Sequence, residues 1–291
     1  MHLVTEKSVI PQVIEESTAV IFDRQQQCLT LIKLLAQLTK AVQRHRGASM
    51  SVLSGERGFL SIADTMSKRI ETILSVLDQC RFDDVFEGAE ELTKNIIERW
   101  RLIADDWAQD QLLHNFEFHS HLVDALIGFI RQAIREDFVG KGNEQQQAVF
   151  LVFDSALIQL LDTAEMLAIL RGLSTNAAVL KTCGPESRSR IGYLLKELPR
   201  HHRALLYTLN RLKEDGIKED IGANIADQQK QMQKFLLSIE ITILDNHDIS
   251  SDSSRLFALS TEFVDLHWDC FEQLVQQLEK RMYEQLLGVN P

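Results

Sequence analysis

The sequence predicts an all-α protein: about eight helices forming two packed four-helix bundles with long shared helices. Three observations predict it. Apolar residues recur in steps of three and four over long stretches, the period of a helix with one buried face. The β-branched residues are scattered inside those periods and draw no alternating strand, while glycine (13) and proline (4) are scarce. The word Arg-Gly-x-Ser occurs twice on an apolar stripe, the second 125 positions after the first in a chain of 291. That offset is close to half the chain, the mark of two copies of one architectural unit.

After a short leader broken at Pro11, helical periodicity runs from about Gln12 to Leu53, and Ser54-Gly55 stops it. A second helix covers about Gly58 to Cys80, followed by a turn at Arg81-Phe82-Asp83. The third runs from about Asp84 to Trp107 and the fourth from about Gln111 to Val139. Gly140-Lys141-Gly142-Asn143 is the clearest breaker and the best midpoint. A long helix then spans about Glu144 to Lys181 and ends at Cys183-Gly184-Pro185. The sixth starts near Ser187 and reaches about Asp215, with Gly216 ending it. The seventh covers about Ile217 to Asn246, weakened at Gly222. A polar loop from His247 to Ser254 leads to the last helix, about Arg255 to Leu287. The halves, about 12–140 and 144–287, form a single domain in this reading. Helices of about 40 residues run about 60 Å, long enough to cross from one bundle into the other.

Gln43-Arg44-His45-Arg46-Gly47-Ala48-Ser49-Met50-Ser51 lies deep in the first helix. The stripe Leu31, Leu35, Leu38, Val42 continues by the same steps through Arg46, Ser49 and Val52. Arg44 lies about 200° round the helix and is expected to face water. The second stripe is Leu160, Ala164, Leu167, Arg171, Ser174, Ala178. A guanidinium on a core face must be paired, because an isolated buried charge is prohibitively costly. Two readings follow. Two planar forks could converge on one small oxyanion, a ligand that favours one helix packing over another. Alternatively each arginine pairs with a carboxylate on a neighbouring helix, and the glycines merely permit close packing. Glu165, six residues before Arg171, is expected at the surface or in an interhelical ion pair.

Composition narrows the classes further. A formal charge of −11 argues against nucleic acid or an anionic membrane surface as the main partner. No basic region with an apolar run opens the chain, and no apolar run of about 18 residues occurs, so the expectation is a cytoplasmic protein without a membrane span. Cys28, Cys80, Cys183 and Cys270 lack paired spacing and read as reduced, buried thiols. His114, Glu117, His119 and His121 are close in sequence, but His119 and His121 face different sides of a helix, so a structural or surface role is expected and no metal. His201-His202, between Arg200 and Arg203, reads as a solvated basic knot. Nucleophile elbows, phosphate loops and dinucleotide fingerprints are absent, so neither an enzyme nor a cofactor is expected.

Gln43-Arg44-His45-Arg46-Gly47-Ala48-Ser49, followed by Leu53-Ser54-Gly55, resembles the arginine motif of nitrate- and nitrite-sensing domains, the NIT family. Leu170-Arg171-Gly172-Leu173-Ser174 resembles that family's second motif. The resemblance spans the chain from about Cys28 to the last helix, but only these patches are specific. It implies an all-helical sensor in which nitrate or nitrite binds arginines from several helices. Arg46 and Arg171 are the matched positions, with Arg44 a looser match. Residues 219 to 254 lack the late arginine that the family's site calls for and offer only Lys230 and Lys234 as such cations. Family members are often fused to an output module, whereas here the sequence stops at Pro291, so a sensor would act in trans.

The expectation is therefore a small-anion sensing protein with Arg46 and Arg171 as primary contacts. Ser49 and Ser174 would be hydroxyl donors one turn on, with Arg44 and Lys230 as supplementary cations. Its partners would be nitrate or nitrite and a separate output protein, with a homodimer compatible. The alternative is a helical interaction scaffold that keeps the fold without the ligand.

Overall fold

The computed structural model describes residues 9–80, 82, 85–138, 144–214, 221, 223–245 and 248–286. The expected breaker Gly140-Lys141-Gly142-Asn143, Arg81, Asp83, Gly216 and Gly222 lie outside them. The described residues are almost all helical, with no strand among them, as the periodicity requires. Helix α1 is Val9–Leu53, α2 Leu60–Gln79, α3 Ala89–Asp106 and α4 Leu112–Phe138. The second half holds α5 Glu144–Leu180, α6 Pro185–Glu214, α7 Ala223–Asp227, α8 Gln229–Ile239 and α9 Ser253–Leu286.

The expected seventh helix is broken. Only a five-residue turn, α7, precedes α8, and α8 widens into a π-helical turn over Glu240–Leu244. The amide of Asp245 reaches back to the carbonyl of Glu240, and Arg188 of α6 donates to the Leu244 carbonyl. Helix α6 runs through Pro199 without a break, although that residue removes one backbone donor.

Helix α1 packs against α2 and α4, and α5 packs against α6 and α9; α1 also meets α5 and α9. Both long helices are therefore shared. At 45 residues α1 is about 68 Å long, and α5, at 37, about 55 Å. They run in the same direction where they touch: Gln43 meets Glu165, Gly47 meets Arg171, Met50 meets Gly172, and the Ser54 hydroxyl donates to the Asn176 side chain. Glycine on each helix lets the axes approach. A Cβ at Gly172 would lie 3.3 Å from the Met50 sulfur. A single hydrophobic cluster runs from Cys28 to Met282 and spans both halves. The stripes forecast on α1 and α5 are buried as drawn, apart from half-buried Val52, and from Leu170 to Ala178 helix α5 is buried on every side.

All four cysteines are free thiols; Cys28 and Cys270 are buried as expected, but Cys80 and Cys183, near helix ends, are only half-buried. Burial and the Asp269 carboxylate push the Cys270 thiol up to about 12, so it remains protonated. Among the described residues no helix is long and apolar enough to cross a membrane.

Candidate functional site

The two arginines that interrupt the stripes are completely buried, Arg46 at 0% and Arg171 at 1% exposure. Their surroundings differ in kind. Arg46 closes a fork-to-fork ion pair with Glu165 of α5, Nη1 to Oε1 at 2.7 Å and Nη2 to Oε2 at 3.1 Å. Ser120 of α4 accepts from the same Nη1 at 3.0 Å, and the guanidinium carbon sits 5.4 Å from the Phe116 ring centroid. Glu165 is held on its other side by Gln43, whose Nε2 donates at 2.8 Å to Oε2, while Trp268 Nε1 donates to Gln43 Oε1 at 3.0 Å. The charge of Arg46 is thus met by a carboxylate that is itself oriented. Of the two places expected for Glu165, the interhelical pair is the one found.

Among the described residues Arg171 has no carboxylate partner. Its Nη1 donates to the Thr261 hydroxyl at 3.1 Å and its Nη2 to the backbone carbonyl of Gln43 at 2.7 Å. The guanidinium lies 5.0 Å from the centroid of Phe257. Burial, then the positive charges of Arg46 and Arg44, bring its pKa down to about 9, against weaker help from Asp265 and Glu165. It therefore stays charged at neutral pH. Among the described residues the buried Nε atoms of Arg44, Arg46 and Arg171 meet no hydrogen-bond partner, nor does the hydroxyl of Thr175 one turn beyond Arg171.

The remaining expected site residues are placed differently. Arg44 is half-buried and does not face open water, because α1 is packed on nearly every side here. Ser49 gives its proton to Asn115 Oδ1 at 2.8 Å or the Arg46 carbonyl at 3.1 Å, and Ser174 gives its own to the Leu170 carbonyl at 2.7 Å. Neither hydroxyl is aimed at the Arg171 guanidinium; Ser174 reaches only that residue's backbone carbonyl, at 3.4 Å. Lys230 is exposed, as is Lys234. The apolar stripe of α8 is Met232, Phe235, Leu236 and Ile239, and residue 230 stands about 200° from Met232 on the opposite face. Lys230 therefore does not join the buried arginines.

Sequence reasoning passed over His45. It is buried at 0% beside Arg46, with its Nδ1 2.7 Å from His119 Nε2. His119 Nδ1 lies 2.6 Å from the Asn115 carbonyl, which can only accept. His119 is therefore protonated on Nδ1, and His45 donates to its Nε2. Trp100 and Trp107 stand edge-on to His45 at centroid distances of 5.2 and 5.3 Å. Burial lowers the His45 pKa to about 4 and, aided by His45 and Arg46, holds His119 well below the ordinary imidazole range. Both rings are therefore neutral at neutral pH. Trp100 and Trp107, seven residues apart on one helical face, were the pair's only sequence signal.

His202 is a correction. It is buried at 2% exposure, with the ring of His267 at 6.1 Å, and is no part of a solvated knot. The stripe Ile191, Leu194, Leu198, His202, Leu205, Leu209 passes through it. Among the described residues no group of three or more histidine, cysteine or acidic side chains could hold a metal ion.

No protein-family model, curated protein or solved structure matches the chain.

Proposed function

We propose that the chain senses a small inorganic oxyanion, nitrate or nitrite, at Arg171. The observation that carries this reading is a buried, charged guanidinium without a carboxylate, next to two further arginines whose Nε donors are also unmet. Net positive charge in a core is expensive, and a monovalent anion accepting from the arginine fork in place of the Thr261 hydroxyl, whose own proton goes to the Phe257 carbonyl, would relieve it. The signal would be a change in how α1 seats against α5. Arg171 of α5 already bonds the Gln43 carbonyl of α1, so an anion competing for that fork acts on the contact between the shared helices. Output would pass to a separate protein in the cytoplasm, with a homodimer compatible.

Thermal unfolding at fixed ionic strength tests this with nitrate, nitrite, chloride and sulfate on the wild type and Arg171→Met. A nitrate- or nitrite-selective rise of about 5 °C at 100 times the dissociation constant, lost in the variant, supports the reading. Equal small shifts for every salt reject it.

The alternative, a helical interaction scaffold without a ligand, is favoured by the Arg46–Glu165 pair, which already satisfies one of the two forks. Equal shifts in all salts would point there.

A further inference from the structure

The two arginines are equivalent in sequence but not in partner, and the difference lies in one pair of positions. Six residues before Arg171 stands Glu165; six residues before Arg46 stands Lys40. Each position lies nearly two turns N-terminal to its own arginine, and α1 and α5 run side by side in one direction. An acidic residue at position 165 can therefore reach across to Arg46, and an acidic residue at position 40 would be the counterpart for Arg171. The chain has a lysine there, turned instead to Asp265 at 3.2 Å and Asp269 at 3.7 Å of α9.

We infer that Glu165 is a tethered anion: its carboxylate fills the fork of Arg46 and thereby confines any external anion to Arg171. This rests on the reading of Arg171 as an anion site. The geometry at Arg46 is what a bound oxyanion would present. Two oxygens meet two guanidinium nitrogens at 2.7 and 3.1 Å, with a third donor, Gln43 Nε2, at 2.8 Å and a hydroxyl close by on Ser120. The carboxylate arrives on a side chain, so its effective concentration at the fork is far above that of a free ion. Lys40 leaves Arg171 without such an occupant. One fork is closed by a carboxylate, and the other holds only a hydroxyl and a backbone carbonyl, neutral acceptors that an anion can replace.

The test is rescue of Glu165→Ala by formate, a free carboxylate about the size of the group removed. The variant should unfold at a lower temperature than the wild type, and formate should raise that temperature saturably by about 5 °C at 100 times its dissociation constant. At the same formate concentrations and fixed ionic strength the wild type should show less than half that rise. Glu165→Gln, whose neutral amide an anion can displace from the fork, serves if the alanine variant does not fold; there each chain should bind one more nitrate than the wild type. Formate shifts that are equal in variant and wild type, or an unchanged nitrate stoichiometry in Glu165→Gln, overturn the inference. Failure of the Arg171 reading is separate, since it shows as a wild type indifferent to nitrate whatever formate does to the alanine variant.

Discussion

Gly47 of α1 lies directly against the Arg171 side chain of α5: a Cβ there would sit 3.4 Å from Arg171 Nε and 3.0 Å from Cε2 of Phe257. The glycine in the first motif therefore makes room for the arginine of the second. Its counterpart, Gly172, faces only the flexible Met50 side chain at 3.3 Å. A helical glycine is disfavoured by about 1 kcal/mol relative to alanine, so each substitution starts with that gain. At Gly47 the gain is outweighed, because the Phe257 ring is fixed beneath the guanidinium and has to shift. Gly47→Ala should lose about 1–2 kcal/mol in urea unfolding, and Gly172→Ala should fall within about 1 kcal/mol of the wild type. A Gly47→Ala protein as stable as the wild type would mean that the close approach is not needed.

The Arg46–Glu165 pair should behave as a unit. Removing either partner leaves a buried charge uncompensated, and Arg46→Met or Glu165→Leu alone should lose about 3–5 kcal/mol. The double substitution removes both charges and should recover most of that loss. A double-mutant cycle by urea denaturation measures the coupling, expected to exceed about 2 kcal/mol. Additive losses would show that the two charges do not depend on each other.

Acid should destabilise the fold through its buried imidazoles. His45 and His267 are each lowered to about 4 by burial. The unfolded chain binds protons at these residues as pH falls through about 6.5, while the folded protein stays neutral until near 4. The unfolded state thus holds more protons in that window, and stability falls as pH is lowered from about 6.5 towards 4. Each histidine contributes a loss of about 3 kcal/mol across the window. Urea midpoints taken at successive pH values should decline, and His45→Gln should decline less steeply. Equal slopes would mean that His45 is not the titrating group.

Much of this site was legible in the sequence, and the limits have physical causes. The burial of Arg46 and Arg171 follows from steps of three and four, which are local. Which acid meets which arginine depends on how α1 and α5 lie against each other, and no local period encodes that. Glu165 was visible as a charge near Arg171, yet it serves the other arginine, 119 positions away. His202 was misread because charged neighbours at Arg200 and Arg203 outweighed a stripe that passes through it. Lys230 was drawn in to supply a missing cation, although the stripe of α8 turns it outward. The break between α7 and α8 falls in a polar stretch where periodicity is too short to fix a helix boundary.

Isothermal titration of nitrate and nitrite into the wild type and Arg171→Met, at constant ionic strength, tests the central claim most directly. An anion site at Arg171 predicts saturable binding of one anion per chain in the wild type and none in the variant. Binding that survives the loss of Arg171 would contradict the assignment, as would a wild type that takes up neither anion.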